Sequence, residues 1–144
     1  MPARSPLSYA AGVPTPPLVD DAYFKVTHDP TRRLVIAVRS AEAIDDLADL
    51  ERSVSAVAAA FDAVGREGTR LFIDIRAARG RNDASFEEAM KRLRPRLFGG
   101  FERVALLVRS AVGLLQIQRH LREDGVSAHV DTDEAALMAA LLAD

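Results

Sequence analysis

The stretch from residue 69 to residue 88, TRLFIDIRAARGRNDASFEE, decides the fold. Within it, LFIDI (71–75) is an almost wholly apolar run, typical of a strand that helices cover on both faces. A polar turn follows. SFEEAMKRLRPRLF (85–98) then repeats apolar residues at helical spacing, and Pro95 is expected to disrupt the end of that helix. A buried strand that leads into an amphipathic helix predicts a crossover between parallel strands.

The same alternation extends in both directions along the chain. Upstream, YFKVTH and LVIAV flank DPTRR, which predicts an antiparallel hairpin, and an apolar helical stripe follows from Ile44 to Val64. Downstream, FERVALLV and VSAHV predict strands, each followed by a helix. The order β-β-α-β-α-β-α-β-α predicts a single α/β domain. Its five-stranded, mostly parallel sheet is covered by four helices, and only the first strand is antiparallel.

The N-terminal segment differs from the rest in composition. Residues 1–20 contain five of the seven prolines, which cannot donate to a regular helix or a central strand. We expect residues 1–20 to form a Pro-rich disordered or loosely docked tail and residues 21–144 to form the folded domain.

The composition excludes several classes of protein. The 144 residues carry a formal net charge of −2, and the absence of Cys excludes disulfides and thiolate metal sites. No apolar run approaches the roughly 20 residues of a membrane helix, and no signal-peptide core is visible. We expect a cytoplasmic protein with no transmembrane segment. The basic stretches contain few aromatic residues and no nucleic-acid-reading motif, so we expect no nucleic-acid partner.

Three features carry a resemblance to a known family: the opening hairpin, FIDIRAA (72–78) as the central strand with its aspartate, and VSAHVDTDEAALMAALLA (126–143) as a closing strand plus helix. Over residues 22–143 the chain resembles the STAS / SpoIIAA-like family of anti-sigma-factor antagonists, and within it the diverged STAS/SEC14-like group. The resemblance implies a non-enzymatic module that works through protein partners.

The family resemblance also implies a role for Ser85. Anti-sigma antagonists carry Asp-Ser-Ser-Gly at the corresponding helix start, and the second serine is phosphorylated. Asp83 and Ser85 match the aspartate and that serine, whereas Ala84 and Phe86 replace the first serine and the glycine. Ser85 is therefore a candidate phosphoacceptor. The residues also fit a second interpretation, which we favour: Ser85 begins an S-x-x-E capping box with Glu88, or Asn82 or Asp83 caps the helix one turn earlier.

The strand-to-helix junctions predict a binding edge, because ligands of open α/β sheets bind beyond the carboxyl ends of the strands. Residues 76–122 also include eleven basic and four acidic side chains, which would suit an acidic protein surface, an anionic lipid or a phosphate. A set of solvated helix faces with paired arginines explains the same charges. The candidate partner- or anion-binding residues are Asp74, Arg76, Arg79, Arg81, Asn82, Asp83, Arg109 and Ser110.

The motifs needed for other chemistries are missing from the sequence. No histidine is spaced for a metal site, no Gly-x-Ser-x-Gly elbow surrounds a serine, and no phosphate loop occurs. We therefore expect no catalytic residues, no metal and no cofactor. The sequence predicts a regulatory module that binds another protein, as a monomer or a homodimer. The alternatives are a binder of a small apolar, lipid-like or anionic ligand at the strand edge, peripheral anionic lipid included, and a regulator switched by phosphorylation of Ser85.

Overall fold

The computed structural model describes residues 16–79 and 83–143. Strands and helices alternate along them as the sequence predicts. The elements are β1 Val19–Asp20, β2 Phe24–Asp29, β3 Leu34–Arg39, α1 Leu47–Val64, β4 Arg70–Asp74, α2 Ala84–Phe98, β5 Arg103–Leu107, α3 Ala111–Glu123, β6 His129–Asp131 and α4 Glu134–Leu142.

The strands form one sheet in the order β1-β2-β3-β4-β5-β6. β2 is antiparallel to β3, and β3 to β6 are mutually parallel, which confirms the predicted α/β fold. The sheet has one more strand than predicted. β1 pairs Val19 with Val26 at the edge of the sheet, inside the stretch assigned to the tail. Pro17 is the last proline of the N-terminal segment, so the N–H of Leu18 donates to the carbonyl of Val26 at 2.7 Å.

Helices cover both faces of the sheet, but unequally. Alternate residues of each central strand point to opposite sides, so Val35 and Ala37 face α1, α2 and α3 while Leu34 and Ile36 face α4. α4 covers its side with three fully buried side chains, Leu137, Met138 and Leu141. Each such side chain stabilises the fold by about 1.5–3 kcal/mol.

The helix starts are set by polar caps, and for α2 the structure selects one of the alternative caps that the sequence left open. Asp83, not Ser85, is the N-cap of α2, because the Asp83 carboxylate accepts a hydrogen bond from the N–H of Phe86 at 3.2 Å. The capping box from Ser85 to Glu88 is therefore wrong, and Ser85 lies in the first turn of the helix.

The expectation for the end of α2 is also wrong. The helix continues through Pro95 to Phe98, and the N–H of Gly99 donates to the carbonyl of Pro95 at 3.0 Å. Pro95 has no N–H to donate to the carbonyl of Lys91, one turn earlier, and Lys91 is exposed. None of the four helices in the described ranges is long and apolar enough to cross a membrane.

Candidate functional site

The carboxyl ends of β3, β4 and β5 form the edge at which the sequence predicts a site. Asp74 ends β4 and is buried among the ends of the neighbouring strands. Its Oδ1 accepts hydrogen bonds from the backbone N–H of Arg76 at 3.0 Å and from Arg76 Nε at 3.1 Å. Its Oδ2 accepts from Arg76 Nη2 at 2.8 Å. The carboxylate thus holds the turn after β4 in place.

The structure adds one residue to this pair that the sequence gave no reason to include. Glu134, in the first turn of α4, lies with its Oε1 3.5 Å from Arg76 Nη2. Arg76 therefore bridges the turn after β4 and the start of α4. Arg76 and Glu134 are 58 residues apart in the sequence, so only the fold brings their side chains together.

The other predicted residues at this edge are exposed, cap a helix, or lie outside the described residues. Arg79 is exposed, and Asp83 caps α2. Ser110 caps α3 by accepting from the N–H of Gly113 at 3.1 Å, and Arg109 beside it is exposed. Arg81 and Asn82 lie outside the described residues. The structure therefore joins Asp74 to Arg76, and it gives Asp83 and Ser110 capping roles.

Several arginines of the basic stretch pair with carboxylates instead of contributing to one free basic surface. Arg92 Nη2 lies 2.6 Å from Glu51 Oε1, and Arg119 pairs with Glu123 in the next turn of α3 at 4.0 Å. Arg94 is buried, with 7% of its side chain exposed. These pairs favour the interpretation of solvated helix faces over one basic docking face.

Arg94 crosses from α2 to the end of α3. Its Nη1 donates to Asp124 Oδ2 at 3.0 Å, and its Nη2 lies 3.6 Å from Glu87 Oε2. The Asp124 side chain is only 5% exposed, so a buried cation faces a buried anion. This pair fixes α3 against α2 and cannot form part of an exposed basic surface.

An apolar cavity of about 190 Å³ lies on the α1–α3 side of the sheet, beneath the predicted edge. The side chains that line it come from β2, β3, β4, β5, α1, α2 and α3, and include Leu50, Val54, Val57, Phe61, Ile73, Met90, Leu97, Phe98 and Leu106.

Arg39, which the sequence analysis did not single out, lines the same cavity at the carboxyl end of β3. It is 5% exposed, and its guanidinium lies 5.3 Å from the centre of the Tyr23 ring. Burial lowers the pKa of Arg39 below its ordinary value, and the charges of Tyr23, Glu42 and Asp21 offset only part of that effect. An arginine remains charged at neutral pH even so. A charged residue at the end of an otherwise apolar strand was the sequence signal for it.

No group of three or more histidine and acidic side chains suited to a metal ion occurs in residues 16–79 or 83–143. Asp74, Asp83, Ser110 and Arg94 are engaged in a turn, two helix caps and a buried ion pair.

Comparison with known proteins gives one informative likeness. The fold is similar to that of an anti-sigma-factor antagonist (STAS) domain protein from Planctomyces limnophilus, with a TM-score of 0.52 and 22% sequence identity. The match covers 84% of this chain and 98% of that one. No protein-family model and no curated protein matches the sequence. The chain therefore has a STAS-like fold, as the sequence resemblance implied.

Proposed function

We propose that the chain is a non-enzymatic regulatory module that acts by binding another protein. The observation that carries the proposal is the STAS-like fold, which it shares over 84% of its length with an anti-sigma-factor antagonist domain protein. Asp74, the carboxylate best placed for proton transfer, is bonded to Arg76 through both oxygens. This engagement supports a role without catalysis.

The outer stripe of α3, defined as Val112, Leu115, Arg119 and Arg122, is the surface we assign to the partner. Intervals of three and four residues place the four on one side of the helix. Val112 is 71% exposed and Leu115 is 66% exposed. Such exposure is unusual for two large apolar side chains that are neighbours on a helix surface. Two basic residues follow them along the stripe. An amphipathic partner segment with apolar anchors and acidic flanks fits this pattern.

The test begins with purification of the tagged protein from its own host and identification of the protein that copurifies with it. The affinity of that partner is then measured for the unaltered protein, for Leu115→Asp, and for Ala59→Asp as a control. Ala59 is exposed on α1, so the control introduces the same charge away from the stripe. Burial of a leucine side chain contributes about 1.5–3 kcal/mol, so Leu115→Asp should weaken binding about 10- to 100-fold.

The control should bind normally. Equal affinity for Leu115→Asp and the unaltered protein would remove the stripe as the interface. Recovery of chaperones alone would count against the proposed function itself.

A second candidate function, regulation by phosphorylation, is supported by the position of Ser85. It is exposed in the first turn of α2, two residues after the Asp83 cap. A phosphate there would meet the positive end of the helix dipole, an interaction of about 0.3–1 kcal/mol, and would add charge to the surface near α3.

Phosphopeptide analysis of protein from its own host tests this candidate, with partner affinity measured for protein carrying phosphoserine at position 85. We expect modification at Ser85 and a changed affinity. Ser127→Ala, at an exposed loop serine, is the control for Ser85→Ala. Absence of phosphate under all growth conditions, together with no effect of phosphoserine on binding, would refute the switch.

A further inference from the structure

The cavity under the sheet is large enough to hold a small apolar group. Its volume of about 190 Å³ exceeds the ~150 Å³ of an engineered protein cavity, lined by Leu, Ile and Phe, that binds benzene. The walls here are of the same kind. On this scale the cavity accepts a group of roughly six to eight carbon atoms.

The lining runs from the carboxyl edge of the sheet into the core. α1 contributes Leu50, Val54, Val57 and Phe61, which span three turns on one face of the helix. Since α1 starts at the carboxyl edge of the strands, its lining residues from Leu50 to Phe61 run from that edge into the core. A linear apolar chain suits such a course.

The arginines lie at the outer end. Arg39 ends β3, and the exposed Arg79 follows β4 in the adjacent loop, and both line the cavity. The half-buried Ile44 and Phe86 lie on the loop before α1 and in the first turn of α2. The site is therefore apolar inside and cationic at its entrance.

Arg39 is bonded only to neutral acceptors within the described residues. Its Nη1 donates to the Ser40 carbonyl at 2.6 Å and to Ser40 Oγ at 3.2 Å, and its Nη2 donates to the Glu42 carbonyl at 2.8 Å. These contacts do not use its Nε. Arg94, the other buried arginine on the cavity wall, is by contrast neutralised by Asp124 at 3.0 Å. Within the described residues no carboxylate lies at ion-pair distance from Arg39, and the more distant charges of Glu42 and Asp21 offset only part of its burial. A buried guanidinium in this position attracts an anion.

We propose that this cavity binds a small amphipathic anion, a carboxylate on an unbranched alkyl chain of roughly six to eight carbons. The carboxylate contacts Arg39, with Arg79 at the entrance, and the chain lies between the sheet and α1 and α2. The inference does not depend on the proposed protein partner.

Octanoate is the probe for the test, and the protein is isotope-labelled on its methyl groups. Octanoate should shift the methyl resonances of Val54, Val57 and Leu106, which line the cavity, in a saturable manner. Octanol carries the chain without the charge, and butyrate carries the charge with a short chain. Both should bind at least ten-fold more weakly than octanoate.

Arg39→Met should weaken octanoate binding at least ten-fold while leaving octanol binding within two-fold of the unaltered protein. Arg52→Met, at an exposed position of α1, is the matched control and should bind octanoate normally. Val57→Phe fills the cavity and should abolish binding of both probes. Ala37→Val, a smaller change on the opposite wall, replaces it if Val57→Phe does not fold.

Three results would each overturn the proposal. The first is the absence of cavity methyl shifts with octanoate. The second is equal octanoate affinity for Arg39→Met and the unaltered protein. The third is octanol binding as tight as that of octanoate.

Discussion

The buried pair between Arg94 and Asp124 allows the sharpest prediction about stability. Replacement of Arg94 by Met keeps most of the apolar stem of the side chain but removes the charge. Asp124 then remains as a carboxylate that is 5% exposed and has lost its 3.0 Å partner. Glu87, at 3.6 Å and more exposed, is able to turn to solvent, so the cost falls mainly on Asp124.

Removal of one member of a buried ion pair costs about 3–5 kcal/mol. For a chain of this length, about 3 °C of Tm corresponds to each kcal/mol, so we expect Arg94→Met to lower the Tm by about 10–15 °C. The assay is chemical denaturation, with thermal unfolding as a second readout. Arg92→Met is the matched control, because Arg92 is exposed and its pair with Glu51 should contribute less than about 1 kcal/mol.

The double variant Arg94→Met, Asp124→Leu distinguishes a stranded charge from lost packing. Replacement of both partners by apolar groups removes the desolvation penalty, so its stability should return to within about 1–2 kcal/mol of the unaltered protein. If the double variant is as unstable as the sum of the single variants, the cost arises from packing and the electrostatic reasoning is wrong. A loss below about 1 kcal/mol for Arg94→Met alone would also refute it.

Three further predictions follow from the caps, a surface carboxylate and the α4 contact. Asp83→Ala should lower the free energy of unfolding by about 0.5–2 kcal/mol, whereas Ser85→Ala should change it by less than about 0.5 kcal/mol; urea denaturation compares the two, and the reverse order would restore Ser85 as the cap. Burial by itself would raise the pKa of Asp29, but hydrogen bonds from the Arg32 side chain and backbone outweigh it and hold that pKa below 3.8. The ionised Asp29 therefore stabilises the fold above the unfolded-state pKa near 4, and this stabilisation is lost as the pH falls through the lower folded-state pKa. Asp29→Asn should destabilise the protein at pH 7 and have no effect on stability at low pH. A stability deficit of this variant that persists in acid would contradict this. Met138→Ala should cost about 2–5 kcal/mol in the same denaturation assay, because Met138 is fully buried between α4 and the sheet, and a loss below 1 kcal/mol would show that α4 contributes little.

Local sequence determined the elements and their order. The run LFIDI predicts a buried strand because it is almost wholly apolar, and the helical spacing after it indicates a crossover. The cap of α2 is a local feature that the sequence did not decide. Asp83 and Ser85 are both capping residue types and lie only two residues apart, and the backbone conformation at Asp83 decided between them.

Only the tertiary structure decided which distant groups meet. Asp74 and Arg76 are close in sequence and pair within one turn, but Glu134 joins them because α4 starts beside the end of β4. Whether an arginine is free or paired likewise depends on the packing of α2 against α3, which buries Arg94 beside Asp124. The cavity is the clearest case. A cavity is volume left between packed elements, so no short segment of sequence encodes it. Arg39 becomes a candidate ligand-binding residue only because the elements packed around it bury it at the cavity wall.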